Sequence, residues 1–124
     1  MARPSRIFIV DDDSEIVVMM TTLLEAAGHK VRSTLVGELA IPQILEMRPQ
    51  AVLVDLVMGG IDGYALAREL KAQPNLGQTK LIMVSARSDK MWTDRAQEAG
   101  FAGFIAKPID LAHFVSQVEA LLSD

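Results

Sequence analysis

Residues 7–13 read IFIVDDD, four consecutive apolar residues that end abruptly in three aspartates. Continuous rather than alternating apolarity is typical of a strand buried on both faces. Two similar runs follow, AVLV at 51–54 and LIMV at 81–84. Because parallel sheets bury both faces of their central strands under helices, these runs predict a parallel sheet.

Amphipathic stretches separate the strands and predict helices. Gly28 and Gly100 are placed to stop the first and the fourth helix, and Asp62 and Asp110 to cap the third and the fifth. The predicted helices cover 14–27, 38–47, 63–72, a stretch that ends at 99, and 111–122. Two weaker strands are predicted at 30–34, on an edge of the sheet, and around 104–105.

Five strands alternating with five helices favour an α/β fold with a doubly wound five-stranded parallel sheet, strand order 2-1-3-4-5, and helices on both faces. The 124 residues are the usual length of one domain. We therefore expect 1–124 to form a single domain with no output domain. In such a sheet, functional groups lie beyond the carboxyl ends of the strands.

The composition excludes several classes of function. The net charge of −4 argues against a nucleic-acid binder, and no apolar run approaches the ~20 residues that span a bilayer. There is no cysteine, which excludes disulfides and thiolate chemistry. We expect a cytoplasmic protein that contacts neither membrane nor nucleic acid.

Reactive polar residues follow four of the five predicted strands: Asp11 and Asp12, then Asp55, Ser85 and Lys107. Three neighbouring carboxylates repel one another unless a cation neutralises them, and all-oxygen ligands favour a hard ion such as Mg²⁺. A carboxylate can attack a phosphoryl group, and a hydroxyl and an ammonium suit its oxygens. The pattern predicts phosphoryl chemistry at one rim of the sheet.

The motifs at 7–13, 52–55, 61–63, 84–86 and 107–108, in this order and spacing, resemble the response-regulator receiver domain of two-component signalling. The resemblance covers essentially the whole chain and implies a flavodoxin-like fold. It implies a response regulator rather than an enzyme in the usual sense, and we expect this response regulator to act as a stand-alone protein. Its partners would be a histidine kinase or histidine phosphotransfer protein, and a downstream protein target.

The resemblance also implies which residues act. Asp55 would be the phosphoacceptor, and Mg²⁺ would be bound by Asp11, Asp12, Asp55 and the backbone carbonyl of Val57. The family usually has a proline after the methionine of the following loop, where this chain reads MGG at 58–60.

Three further roles follow from the same resemblance. Ser85 and Lys107 would contact the phosphoryl oxygens. Phe104 matches the aromatic switch residue, which turns inward as the Ser85 hydroxyl moves toward the phosphate. The Lys107–Pro108 peptide bond is expected to be cis.

The first helix carries five consecutive apolar residues at 16–20, more than one face can bury. If one stripe faces the sheet, namely Val17, Met20 and Leu24, a second stripe remains, namely Ile16, Met19 and Leu23. In the receiver family this helix docks the phosphodonor, so the second stripe is a candidate docking surface.

The fourth helix is unusually polar, with Asp94 and Gln97 at positions expected to be apolar. Its core-facing residues are expected to be mainly Met91, Ala96 and Ala99.

Three other functions are compatible with parts of the sequence. A degenerate receiver would bind partners without phosphorylation. Asp11-x-Asp13 after a strand also resembles the first motif of haloacid-dehalogenase-type phosphatases, but no second acidic pair follows and Asp55 would have no role. A flavodoxin-like cofactor binder would need a phosphate-binding first loop, which three aspartates would repel.

Overall fold

The computed structural model describes residues 4–56, 62–86 and 89–123. Within these parts, five strands form one parallel sheet in the order β2-β1-β3-β4-β5, as predicted. The strands are β1 (Arg6–Val10), β2 (Lys30–Thr34), β3 (Ala51–Asp55), β4 (Lys80–Ser85) and β5 (Phe101–Ala106).

Helices cover both faces of the sheet. They are α1 (Ser14–Ala26), α2 (Ala40–Met47), α3 (Gly63–Lys71), α4 (Lys90–Glu98) and α5 (Phe114–Leu122), with short 3₁₀ turns at Gly37–Leu39 and Pro74–Leu76. Residues of α1 and α5 pack into the core on one face, and residues of α2, α3 and α4 pack into the core on the other. None of the helices in the described parts of the chain is long and apolar enough to cross a membrane.

The run that predicted a strand buried on both faces behaves as expected. Phe8 and Val10 of β1 belong to the core under α2, α3 and α4, whereas Ile7 and Ile9 belong to the core under α1 and α5, and all four are fully buried. Since successive side chains of a strand point to opposite faces, a central strand needs apolar residues at every position.

Helix ends follow the predicted signals at three places. The Asp62 carboxylate accepts a 2.7 Å hydrogen bond from the Ala65 N–H at the start of α3. Gly28 and Gly100, with φ of +96° and +101°, follow α1 and α4 in a conformation that costs glycine little.

The predicted start of the last helix is wrong. Residues 111–113 form turns, and α5 begins at Phe114 with His113 at its N-cap position. The Asp110 carboxylate instead accepts hydrogen bonds from the Ala112 N–H and from His113 Nδ1. Asp110 therefore stabilises a turn before the helix, and Leu111 is 60% exposed rather than part of the buried stripe.

The predicted core face of α4 is also partly wrong. Met91 is 61% exposed, whereas Trp92 is half-buried and packs against the core together with Ala99. Ala96 is buried as predicted. The apolar face of α4 thus begins one residue later, and the large indole compensates for the small alanines.

Candidate functional site

The carboxyl ends of β1, β3, β4 and β5 lie side by side and bring the predicted site residues to one rim. Asp55 pairs in register with Val84, and Ser85 pairs with Ala106, the residue before Lys107. The Lys107 N–H donates a 2.9 Å hydrogen bond to the Ser85 carbonyl oxygen, which extends the pairing past the end of β5. The rim therefore unites residues that lie far apart in the sequence.

The Lys107 ammonium lies between the carboxylates of Asp11 and Asp55. Its Nζ lies 2.9 Å from Asp11 Oδ2 and 3.6 Å from Asp55 Oδ2. Burial alone would lower the pKa of Lys107, but the hydrogen bond from Lys107 to Asp11 and the charges of Asp11 and Asp55 outweigh it and hold the pKa above its ordinary value. The ammonium is therefore charged at neutral pH and offsets part of the negative charge of the rim.

Asp11, Asp12 and Asp55 form a group suited to a cation. One carboxylate oxygen of each lies within 4.8 Å of the others. Asp11 is 1% exposed and Asp55 9%, whereas Asp12 is exposed. Three carboxylates and a single ammonium leave excess negative charge, and the donors are all oxygens, so the group fits a hard divalent ion. Val57, whose backbone carbonyl was the fourth predicted ligand, lies outside the described residues, as does the 58–60 segment.

The third aspartate of the first motif has a structural role. The Asp13 carboxylate accepts hydrogen bonds from the backbone N–H groups of Glu15 and Ile16 at 3.0 and 3.3 Å, and so caps α1. In a phosphatase of the dehalogenase type, Asp13 would instead have to face the substrate. This geometry argues against that alternative.

Ser85 and Phe104 occupy different environments on neighbouring strands. Ser85 is 3% exposed at the end of β4, whereas the Phe104 side chain is 49% exposed. The Lys107–Pro108 peptide bond is cis, as the resemblance implied.

Gly63 is a residue whose role the sequence did not reveal. A Cβ atom on Gly63 would lie 2.5 Å from the Asp55 carbonyl oxygen and 2.9 Å from Leu56 Cα. The Gly63 N–H also donates a 3.0 Å hydrogen bond to the Leu56 carbonyl oxygen. The first turn of α3 therefore rests directly on the backbone that carries Asp55. The Asp62-Gly63 pair is the sequence signal here, but as a motif and a helix cap it does not predict this contact.

The two stripes of α1 differ as predicted, although less sharply. Val17, Met20 and Leu24 are buried. The proposed docking residues, Ile16, Met19 and Leu23, are half-buried and pack against the core shared with α5. The most exposed large apolar residue of α1 is Val18, with 64% of its surface accessible.

Solved structures share this architecture. A putative response regulator from Chloroflexus aurantiacus superposes with a TM-score of 0.90 at 32% sequence identity, covering 98% of this chain and 100% of that one. The chemotaxis response regulator CheY4 of Vibrio cholerae also gives a TM-score of 0.90, covering 96% of this chain and 99% of that one. At 18% identity, the second likeness shows the fold alone.

Curated relatives match over the same region. The transcriptional regulatory protein PrrA of Mycobacterium tuberculosis is 32% identical over 117 residues, which are 94% of this chain and 49% of PrrA. The DNA-binding response regulator MtrA of Mycobacterium leprae is 31% identical over 117 residues, with 94% and 51% covered. The chain spans about half the length of the curated relatives it matches.

The sequence profile of the response regulator receiver domain matches residues 7–119, nearly the whole chain. The matched residues include the ends of all the strands that form the acidic rim. The chain belongs to the response regulator receiver domain family.

Proposed function

We propose that Asp55 accepts a phosphoryl group from a phosphohistidine of a histidine kinase or a histidine phosphotransfer protein. The phosphorylated chain then signals by binding a downstream protein. The observation that carries the proposal is the position of Asp55, at a rim where its carboxylate has Lys107 Nζ at 3.6 Å and the Asp11 and Asp12 carboxylates within 4.8 Å.

The transfer needs little from the protein beyond positioning and charge. A carboxylate oxygen of Asp55 forms a bond to phosphorus while the phosphorus–nitrogen bond breaks. The electron pair stays on the imidazole nitrogen, which takes up a proton from solvent. Because the transition state is loose, with its charge spread over the phosphoryl oxygens, nearby cations stabilise it. Lys107 supplies one positive charge, and the Ser85 hydroxyl supplies a hydrogen-bond donor.

Mg²⁺ is the proposed cofactor, and Asp11, Asp12, Asp55 and the Val57 carbonyl are its proposed ligands. When bound, it neutralises charge on the phosphoryl oxygens. The two neighbouring carboxylates of the first loop differ, because hydrogen bonds hold that of Asp11 at both of its oxygens and that of Asp12 is exposed. Asp11 accepts hydrogen bonds from Lys107 and from the Asp13 N–H at 2.9 Å each, while Asp12 stays open to solvent.

The proposed response is a coupled movement of Ser85 and Phe104. The exposed Phe104 ring would turn inward when the Ser85 hydroxyl moves toward the phosphoryl oxygens. This movement would change the surface formed by α4 and β5, which a downstream protein would read.

Intact mass measured after incubation with Mg²⁺ and acetyl phosphate tests the proposal. We expect the wild-type chain to gain one phosphoryl group and Asp55→Asn to gain none. Asp94→Asn removes an exposed carboxylate on α4 and should behave as wild type. If the wild-type chain gains nothing at saturating donor, the degenerate receiver becomes the better description.

The half-buried stripe of α1, Ile16, Met19 and Leu23, is the proposed docking surface for the phosphodonor. Met19→Lys should slow phosphorylation by the partner protein but not by acetyl phosphate, because only the protein must contact α1. Equal slowing with both donors would contradict the proposal.

We propose no nucleic-acid or membrane contact for these 124 residues, on the strength of their net charge of −4, and a cytoplasmic location. PrrA and MtrA are named as transcriptional and DNA-binding regulators, and both are about twice as long as this chain. The expectation that the chain acts without an output domain stays a prediction.

A further inference from the structure

An open groove of about 400 Å³ lies between α3 and α4, on the face of the sheet opposite α1 and α5. We call it the α3–α4 groove. Its lining is predominantly cationic and consists of Tyr64, Arg68, Lys71, Arg95, Glu98 and Ala99.

Arg95 is held in place by two aromatic rings. Its guanidinium carbon lies 5.1 Å from the centre of the Tyr64 ring and 5.4 Å from that of Trp92. The two rings are stacked at 6.2 Å, and the Tyr64 hydroxyl donates a 3.1 Å hydrogen bond to the Trp92 carbonyl oxygen. Stacking of this kind restrains a guanidinium without using its N–H donors. Arg95 can therefore donate to a ligand with little loss of side-chain entropy.

Arg68 and Lys71 add two charges from α3, on the same face and one turn apart. The Lys71 stem runs over Gly100, where the lack of a side chain leaves room for it: a Cβ atom there would lie 3.0 Å from Lys71 Cε. Among the described residues, neither Arg68 nor Lys71 forms an ion pair, and Glu98 lies beyond ion-pair distance of both. Three cations thus face one carboxylate, in a chain whose net charge is −4.

We propose that the α3–α4 groove binds a short acidic segment of a partner protein, independently of Asp55. The cations of the groove have no carboxylate partners within the described chain, and two or three spaced carboxylates would complement them. Negative charge at the end of the groove where α3 and α4 begin limits the length of such a ligand. Asp62 and Asp89, the caps of α3 and α4, lie close enough to Tyr64 to raise its pKa, although burial contributes more and Arg95 opposes both effects.

This arrangement favours a protein segment over a polyanion. A nucleic acid or an anionic membrane presents continuous negative charge, which would meet Asp62 and Asp89 at the starts of α3 and α4 and the exposed carboxylates that these two helices carry outside the groove. A short segment can place its carboxylates against the cations and end before the caps.

Trp92 is the only tryptophan of the chain, so its fluorescence reports on the groove. The probe is an acetylated peptide with three glutamates spaced by pairs of alanines, titrated into the unphosphorylated protein at low ionic strength. We expect a saturable change in Trp92 fluorescence and NMR shifts confined to α3 and α4. The same peptide with glutamines in place of glutamates should produce neither.

Pairs of charge-reversal variants with the same net charge distinguish binding at the α3–α4 groove from nonspecific electrostatic attraction to the protein. Arg68→Glu with Lys71→Glu should weaken peptide binding at least tenfold. Lys30→Glu with Arg32→Glu makes the same change in net charge on exposed residues of β2, at the far edge of the sheet, and should leave binding within about twofold. Arg95→Gln replaces one positive charge with an uncharged side chain and should weaken peptide binding severalfold. This single variant still tests the site if the double variant fails to fold.

Three results would overturn the proposal. One is equal weakening by both double variants, which would show attraction without a site. Another is tighter binding to phosphatidylglycerol vesicles or to a single-stranded oligonucleotide than to the peptide. The third is no fluorescence or NMR response at millimolar peptide. None of these results depends on phosphorylation, so Asp55 could still accept a phosphoryl group in each case.

Discussion

At the scale of single residues, Gly63 is where helix α3 meets the strand that carries Asp55. Gly63→Ala should destabilise the fold by about 1–3 kcal/mol, because the new methyl group would overlap the Asp55 carbonyl oxygen. Gly77→Ala is the matched control, since its Cβ would meet nothing nearer than 3.8 Å and its φ is −60°. Gly77→Ala should therefore be neutral or stabilising by up to about 1 kcal/mol.

Urea unfolding measures both glycine variants, and phosphorylation by acetyl phosphate measures the effect on Asp55. A Gly63→Ala variant that is as stable as Gly77→Ala and is phosphorylated as fast as wild type would show that the backbone shifts without consequence.

Lys107 allows a second prediction at this scale. Lys107→Ala should cost about 3 kcal/mol of unfolding free energy in EDTA, because the buried Asp11 carboxylate loses the ammonium at 2.9 Å. Mg²⁺ should recover part of that loss by replacing the missing positive charge among the three carboxylates. Lys30→Ala removes an exposed lysine and should change stability by less than about 0.5 kcal/mol. The same loss with and without Mg²⁺ would contradict the proposed metal site.

The positions of four candidate site residues could be predicted from the sequence because each lies at the end of a mainly apolar strand or immediately after it. Asp55 and Ser85 end their strands, and Asp11 and Lys107 come immediately after theirs. A parallel sheet then brings them together without any knowledge of side-chain contacts. The contact of Gly63 with Asp55 could not be predicted, because it depends on how closely a helix approaches a strand.

At the scale of elements, α4 and α5 show what periodicity leaves open. In α4, the sequence offers either Met91 or Trp92 as the large apolar residue above Ala96. Tertiary packing decides for Trp92, since its ring stacks on Tyr64. In α5, Asp110 has the side chain of a helix cap, but it holds a turn and the helix starts at Phe114. Local propensity does not separate a cap from a turn, because the same carboxylate serves both.

The pairing of α3 with α4 leads to a prediction about pH. Burial raises the pKa of Tyr64 above its ordinary value of 10.0, and Arg95 partly opposes this. Since Tyr64 is the only tyrosine, the near-ultraviolet absorbance of its phenolate reports this pKa alone. Arg95→Gln should raise the pKa further, whereas Arg68→Gln should change it little.

The sign of the effect on stability follows from the same shift. Between pH 10.0 and the raised pKa, the unfolded chain loses the Tyr64 proton while the folded chain keeps it, so stability falls as the pH rises through this window. Tyr64→Phe should show a shallower fall in urea unfolding. A Tyr64 pKa in the folded wild type at or below 10.0 would contradict the burial of this side chain between α3 and α4.

At the scale of the whole molecule, strand number, order and direction were all predicted correctly. The reason is physical: strands with continuous apolarity need helices on both faces, and right-handed crossovers leave few ways to arrange five such units. What could not be predicted is how distant parts of the chain are joined, because such contacts depend on packing rather than on local pattern.

His29 provides one of these long-range connections. The imidazole is 4% exposed at the turn before β2. The Ser5 N–H donates a 3.0 Å hydrogen bond to Nδ1, so this nitrogen carries no hydrogen, and Nε2 donates a 2.8 Å hydrogen bond to Glu119 Oε2 in α5. One buried side chain thus connects the segment before β1 with the C-terminal helix.

His29→Ala should therefore destabilise the molecule by about 3 kcal/mol, because it leaves a cavity and removes both the acceptor of the Ser5 N–H hydrogen bond and the donor to the Glu119 carboxylate. Glu119→Gln should cost only about 1 kcal/mol, since the amide oxygen can still accept from Nε2. His113→Ala, at an exposed histidine, should cost less than about 0.5 kcal/mol. Urea unfolding ranks the three variants, and hydrogen exchange shows whether β1 and α5 lose protection together. If His29→Ala weakens protection in α5 but leaves β1 unchanged, His29 stabilises only its own end of the helix and does not couple the two ends of the chain.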